Sequence, residues 1–127
     1  MAIDKSVNIL IVDNYKTILR IICNLLKQIE FNNVEEATDG DEALSKLRSG
    51  NFGLVISEWK MSPMTGLRLL KEVRADTKLK GLPFIMVSGE GGIERVVVAT
   101  QAGASGFLGK PFNIETLKLA IERCCRT

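Results

Sequence analysis

The sequence predicts an α/β fold in which five parallel strands and five helices alternate along one domain, residues 1–127. Short apolar runs alternate five times with longer segments whose apolar residues recur at helical spacing, the pattern of repeated βα units. The strand-like runs are apolar at successive positions, as in parallel strands buried on both faces. The length suits one self-sufficient core, and no linker or low-complexity stretch interrupts it.

The first two βα units lie between residues 8 and 50. Residues 8–12 form a short, β-branched apolar run that predicts the first strand. Apolar residues then recur from Ile18 to Ile29 at spacings of three and four, which predicts a helix with one buried stripe. Residues 34–37 predict a second strand whose polar content indicates a sheet edge. Asp39 or Asp41 is the candidate cap of the second helix.

The remaining three units follow the same rule. Each has an apolar strand-like run, a turn rich in glycine, proline or polar residues, and a segment with one apolar stripe. Gly103 is expected to end the fourth helix. The predicted strands are 52–57, 84–87 and 106–108, and the helical stripes run over 67–73, 96–102 and 114–124.

Composition excludes several classes of chemistry. The chain has seventeen Lys and Arg against fifteen Asp and Glu, a formal net charge of +2, and no histidine. The missing histidine excludes Ser-His and Cys-His nucleophile pairs, imidazole zinc sites and a phosphohistidine carrier. The near-balance of charge provides no basic footprint, so no DNA partner is expected.

Cysteine usage and the N-terminus bear on location. Cys23, Cys124 and Cys125 form neither a CxxC pair nor a dense disulfide framework, which favours reduced packing thiols. The N-terminus lacks a signal-peptide pattern, and no apolar run approaches the roughly 18 residues of a membrane span. The sequence therefore predicts a cytoplasmic monomer without membrane contact.

Polar residues follow four of the predicted strands at their carboxyl ends. They are Asp13, Glu58, Ser88 and, after Gly109, Lys110. In an open parallel sheet, ligands bind beyond these strand ends, so the four side chains predict one site. Two acids, a hydroxyl and a lysine suit a phosphoryl group with a divalent cation.

Four sequence blocks carry a family resemblance. Residues 12–14, 55–61, 86–88 and 109–112 resemble the signature blocks of the response-regulator receiver domain, particularly the stand-alone chemotaxis type called CheY-like. The resemblance covers essentially the whole chain. It implies a doubly wound, flavodoxin-like sheet with strand order 2-1-3-4-5.

The resemblance also implies roles for the strand-end residues. In the family, an acid pair after the first strand binds Mg²⁺, and an Asp after the third strand accepts phosphate from a histidine kinase. A hydroxyl and a lysine bind the phosphoryl oxygens, roles that Ser88 and Lys110 match. The candidate metal set is Asp13, Asn14, Glu58 and the backbone carbonyl of Lys60.

Two of these positions depart from the family pattern. Asn14 replaces the second acid, so Mg²⁺ affinity is expected to be weakened or lost. Glu58 stands at the phosphoacceptor position, where one added methylene moves the carboxylate outward by roughly 1.5 Å. Glu58 is also a candidate partial mimic of a phosphorylated aspartate, within reach of Lys110 and Ser88. Lys60 is a candidate ion-pair partner of Glu58 or Asp13.

The sequence therefore supports a non-enzymatic CheY-like receiver that acts by protein contact, with phosphorylation at Glu58 absent or impaired. The alternative is a genuine phosphotransfer switch that accepts phosphate slowly on Glu58 with weakly held Mg²⁺. The implied partners are a histidine kinase and the flagellar motor switch or another signalling protein. Contact is expected on the face of the fourth helix, fifth strand and fifth helix, with these candidate residues: Arg95, Gln101, Phe107, Lys118 and Glu122. Phe107 occupies the family's aromatic switch position, without a phenol hydroxyl.

Overall fold

Strands and helices alternate from one end of the chain to the other. The computed structural model describes residues 4–90 and 92–125. The strands are β1 (Ile9–Val12), β2 (Val34–Ala37), β3 (Leu54–Glu58), β4 (Phe84–Ser88) and β5 (Gly106–Gly109). The helices are α1 (Lys16–Gln28), α2 (Gly40–Ser49), α3 (Gly66–Ala75), α4 (Gly92–Gln101) and α5 (Ile114–Cys124). All strand pairs are parallel and their order is β2-β1-β3-β4-β5, which confirms the predicted topology.

Two hydrophobic cores lie on opposite faces of the sheet because successive strand residues point in opposite directions. On one face, Leu10 and Val12 pack with the buried residues of α2 and α3 and with Ala99 of α4. On the other face, Ile9 and Ile11 pack with the buried residues of α1 and α5. With both faces covered, β1, β3 and β4 are buried at every position, and their residues are apolar up to the polar carboxyl ends of β3 and β4. No helix in the two described ranges is long and apolar enough to cross a membrane.

Two element boundaries differ from the predicted ones in a way that affects the site. The third strand extends one residue past its predicted end because Glu58 pairs with Val87 of β4. Glu58 is therefore held in the sheet rather than in the following turn. Helix α4 starts at Gly92, four residues before the predicted stripe at 96–102, and Gly103 follows its end with a φ of 104°.

Caps and one close approach fix the loops around the sheet's carboxyl edge. Asp39, one of the two candidates, caps α2 by accepting the N–H of Glu42 at 2.8 Å. Gly66 begins α3 directly against β3, where a Cβ atom would clash with the carbonyl oxygen of Glu58. This contact seats α3 beside the candidate acceptor.

Candidate functional site

Four predicted side chains meet at the carboxyl edge of the sheet. Asp13 follows β1, Glu58 ends β3, Ser88 ends β4, and Lys110 follows β5. All four line a cavity of about 350 Å³. The other residues that line it are Tyr15, Ile18, Lys60, Gly89, Glu90 and Arg95. The four side chains therefore share one site, as expected from their positions at the strand ends.

The Glu58 carboxylate is neutralised by its own chain. The residue is 7% exposed. Its Oε2 atom accepts the backbone N–H groups of Trp59 at 2.8 Å and Lys60 at 3.1 Å. Its Oε1 atom forms an ion pair with the Lys110 ammonium group and has no other hydrogen-bond partner. Both carboxylate oxygens are thus engaged within the protein, and Glu58 reaches Lys110, as the sequence predicted.

Asp13 is the second buried acid of the cavity. Its Oδ1 atom accepts the N–H of Tyr15 at 2.9 Å. Burial raises the pKa of Asp13, and the nearby Glu58 carboxylate raises it further. The hydrogen bond from Tyr15 and the charge of Lys110 only partly offset this rise in the pKa. The buried acid pair therefore makes the ionised form of Asp13 costly.

Asn14 is turned away from the cavity and joins two loops. Its Nδ2 group donates to the carbonyl of Thr38 at 2.7 Å and to that of Ser62 at 3.0 Å. Its Oδ1 atom accepts the N–H of Ser62 at 2.9 Å. Thr38 lies between β2 and α2, and Ser62 lies between β3 and α3. Both ends of the amide are used by backbone groups.

The Ser88 hydroxyl and the Lys60 side chain both interact with Glu90 instead of the Glu58 carboxylate. The Ser88 hydroxyl donates to the Glu90 carbonyl at 3.0 Å and accepts the Glu90 N–H at 3.2 Å. The Lys60 ammonium lies 3.6 Å from the Glu90 carboxylate. The prediction that Lys60 pairs with Glu58 or Asp13 is therefore wrong. The reason is that the Lys60 side chain is 84% exposed, whereas the Lys110 ammonium group forms the ion pair with the buried Glu58 carboxylate.

Arg95 belongs to the cavity wall. Its guanidinium group lies 4.4 Å from the ring centroid of Trp59 and 3.9 Å from the Glu90 carboxylate. Sequence reasoning assigned Arg95 to a contact face and gave Glu90 no role. The signal for Glu90 was its position two residues after Ser88, which matches that of Lys60 two residues after Glu58. The two side chains extend from neighbouring strand ends and meet across the cavity.

The other predicted contact residues lie outside the cavity. Phe107, in the edge strand β5, is half-buried and packs against the core beneath α4. Gln101 and Lys118 are exposed, and Glu122 is half-buried. The peptide bond between Lys110 and Pro111 is cis.

Comparisons with known proteins agree with this architecture. A family model of the response regulator receiver domain matches residues 9–122. The chain is 48% identical over 115 residues to the chemotaxis protein CheY of Pseudomonas aeruginosa, covering 91% of this chain and 93% of that protein. It is 44% identical over 121 residues to the chemotaxis protein CheY-3 of Vibrio cholerae, covering 95% and 93%.

Solved structures give the same result. The chemotaxis response regulator CheY4 of Vibrio cholerae matches with a TM-score of 0.86 and 34% identity, covering 94% of this chain and 98% of that one. The strand order, the residues gathered at the carboxyl edge and the sequence match therefore agree over most of the chain. The chain belongs to the response regulator receiver family and is a CheY-like chemotaxis receiver.

Proposed function

We propose that this receiver signals by protein contact and that phosphoryl transfer to Glu58 is absent or severely impaired. The observation that carries the proposal is the ion pair between the buried Glu58 carboxylate and the partly exposed Lys110 ammonium group. The family resemblance assigns that lysine to the phosphoryl oxygens. Here a carboxylate of the same chain already holds it.

The chemistry of the acceptor supports this proposal. A carboxylate attacks phosphorus through an oxygen lone pair, and transfer requires the attacking and leaving oxygens to lie nearly in line. One oxygen of Glu58 accepts two backbone N–H groups, and the other contacts the Lys110 ammonium. These bonds lower the nucleophilicity of both oxygens. The longer side chain also places the negative charge where a phosphoryl group would meet Lys110.

Glu58 is in this respect a partial mimic of a phosphorylated aspartate. It brings one negative charge and two oxygens, whereas a phosphoryl group brings nearly two charges and three oxygens. The Ser88 hydroxyl remains bonded to Glu90, so it makes no contact with the mimic. The mimicry is therefore limited to the lysine.

Receiver domains generally bind Mg²⁺, and we propose that this chain has weakened or lost that affinity. Mg²⁺ requires a near-octahedral set of oxygen ligands. The Asn14 amide is used by backbone groups, and the Glu58 carboxylate is paired with a cation. Within residues 4–90 and 92–125, no three acidic or thiol side chains cluster to hold a metal ion. These contacts support the proposal that Mg²⁺ affinity is weakened or lost.

The experiment uses Trp59, the only tryptophan, which adjoins Glu58. We expect its fluorescence to be unchanged on titration with millimolar Mg²⁺, followed by beryllofluoride or acetyl phosphate. Intact mass should show no phosphoryl gain after acetyl phosphate. The matched control is the double variant Glu58→Asp with Asn14→Asp, which should regain both responses if folded.

The alternative function predicts the opposite result for the unmodified chain. A saturable Mg²⁺ response together with a phosphoryl mass gain that vanishes in Glu58→Gln would establish slow phosphotransfer on Glu58 and overturn the proposal. A silent wild type beside a responsive double variant would locate the block at these two residues.

We place the protein contact on the face formed by α4, β5 and α5. Exposed apolar side chains of α4 and α5, including Ile93, Val97 and Leu119, support the assignment. The proposed partner is the flagellar motor switch or another signalling protein, in the cytoplasm, with a histidine kinase upstream. Calorimetric binding of a motor-switch protein should be weakened by Lys118→Ala, unaffected by Arg20→Ala on α1, and unchanged by acetyl phosphate. Binding that requires acetyl phosphate would contradict the proposal.

A further inference from the structure

The C-terminal end of α5 carries two adjacent thiols that the carboxyl-edge site does not use. Cys124 is the last residue of α5, and Cys125 caps the helix by donating its N–H to the Ile121 carbonyl at 3.1 Å. The two sulfur atoms lie 2.8 Å apart. This separation is longer than the roughly 2.05 Å of a disulfide bond. The two sulfur atoms are therefore in direct contact, and either thiol can donate the hydrogen bond between them.

The two thiols are chemically unequal. The hydrogen bond between the two sulfur atoms holds the pKa of Cys125 below its usual range. The same hydrogen bond, together with burial, raises the pKa of Cys124. Because the thiolate is the nucleophilic form, Cys125 is the thiol equipped to attack, and Cys124 keeps its proton until a second step.

Both thiols remain within reach of solvent. Each is half-buried at the edge of the core beneath α1 and α5. A Cβ atom at Gly106, the first residue of β5, would lie 3.4 Å from the Cβ of Cys124. The pair therefore lies at the opposite end of β5 from Lys110. Chemistry at these sulfurs would act on the α5–β5 contact and leave the cavity residues untouched.

We propose that Cys124 and Cys125 form a dithiol site for thiol–disulfide exchange with low-molecular-weight disulfides such as glutathione disulfide. The Cys125 thiolate attacks one sulfur of the reagent, forms a mixed disulfide and releases one thiolate. Cys124 then loses its proton to the released thiolate and attacks the Cys125 sulfur, which expels the second thiolate. The two cysteines lose two electrons and two protons in total, and one disulfide becomes two thiols.

Ring closure has a structural consequence at the end of α5. A disulfide between adjacent residues closes a small ring that includes their peptide unit. The shared backbone must turn, and the hydrogen bond from the Cys125 N–H to Ile121 is the one most directly affected. The last turn of α5 should therefore loosen beside Gly106 when the pair is oxidised.

The test treats the full-length protein with glutathione disulfide, blocks the remaining thiols with iodoacetamide and measures intact mass with peptide mapping. Before alkylation the wild type should lose the mass of two hydrogen atoms and regain it with dithiothreitol, and after alkylation Cys23 alone should carry the carbamidomethyl group. Cys124→Ser should stop at one glutathione adduct on Cys125. Cys125→Ser should react at least about tenfold more slowly. Cys23→Ser is the matched control and should behave as the wild type.

A second measurement needs no variant. Phenylarsine oxide bridges two neighbouring thiols, so one equivalent should bind and protect both Cys124 and Cys125 from alkylation. The proposal is overturned if the wild type accumulates a stable single adduct, if Cys23 is required for oxidation, or if the arsenical leaves both thiols open to alkylation.

Discussion

Asn14 and Glu58 stand at two neighbouring strand ends, and both depart from the family's acidic pattern, yet the structure stabilises them differently. The Asn14 amide is satisfied entirely by backbone groups of two loops. The Glu58 carboxylate is satisfied by backbone N–H groups on one oxygen and by the Lys110 side chain on the other. Asn14 therefore links two loops, whereas Glu58 places a negative charge beside the Lys110 ammonium group.

This difference teaches that loss of an acid and displacement of an acid have separate consequences. Compared with an acid, the Asn14 amide removes one negative charge from the site. It adds N–H donors that bind the carbonyls of Thr38 and Ser62. A longer acid at position 58 keeps the negative charge and brings it to the Lys110 ammonium group. Substitutions at the two places should therefore differ in size and in how they are rescued.

The largest effect is expected for Lys110→Met. Removing one partner of a buried ion pair leaves an uncompensated charge and typically costs about 3–5 kcal/mol. The Lys110 side chain is 33% exposed and Glu58 retains two backbone hydrogen bonds, so we expect a loss of about 2 kcal/mol. Urea unfolding at neutral pH measures this loss.

The control for that prediction is Glu58→Gln in the Lys110→Met background. A neutral amide needs no cation, so the double variant should recover most of the lost stability. If the two substitutions prove additive, the ion pair contributes nothing and the assigned role of Lys110 is wrong.

Asn14→Asp should have the next largest effect. The carboxylate removes the two N–H donors that face the Thr38 and Ser62 carbonyls and leaves oxygens facing oxygens. We expect a loss of about 1–2 kcal/mol in the free energy of unfolding. The matched control is Asn33→Asp, which removes one exposed hydrogen bond to Ser6 and should cost less than about 0.5 kcal/mol. Equal losses would show that added charge, not the loop contacts, is responsible.

Asp13→Asn should produce a smaller change of the opposite sign. Because burial raises the pKa of Asp13 above its ordinary value of 3.8, the folded protein binds this proton more tightly than the unfolded chain does. Stability from this group is therefore full below the unfolded pKa and is lost as pH rises through the folded pKa. The variant keeps the Oδ1 acceptor for Tyr15, so it should be more stable than the wild type at pH 7 and gain nothing below pH 3.8. Urea midpoints measured across this range test the sign.

The sequence predicted most of the fold because hydrophobic period and strand composition are local signals. Strand order came from the family resemblance, and the gathering of Asp13, Glu58, Ser88 and Lys110 came from the rule for carboxyl strand ends. The ion-pair partner of Glu58 was harder to predict. Lys60 is close to Glu58 along the chain but points to solvent, whereas Lys110 reaches the same carboxylate from a distant loop.

The role of Asn14 was also beyond the sequence. Its contacts with Thr38 and Ser62 depend on how two loops approach each other, which no local pattern encodes. The end of α5 gives a similar case. The adjacent cysteines are visible in the sequence, but the contact between their sulfur atoms depends on where the helix stops.

Arg95→Ala tests whether α4 contributes to the packing around Trp59, the residue that follows Glu58. The guanidinium group lies over the buried Trp59 ring, and a partly desolvated cation–π contact contributes about 0.5–1 kcal/mol. We expect a stability loss of that size and a change in Trp59 emission. Arg95→Lys, the charge-conserving control, should lose less stability. An unchanged emission spectrum in Arg95→Ala would show that Arg95 does not contact Trp59 in the cavity wall.

Lys60→Ala should have the smallest effect, and it separates proximity in sequence from contact in space. The Lys60 and Glu90 side chains are 84% and 60% exposed and lie 3.6 Å apart, so solvent screens their attraction. Their pairing should contribute less than about 0.5 kcal/mol, and urea unfolding should barely distinguish the variant from the wild type. The backbone N–H of Lys60 still reaches Glu58 in the variant, so the buried carboxylate keeps its partners. A loss comparable to that of Lys110→Met would mean that Lys60, not Lys110, neutralises Glu58 in solution.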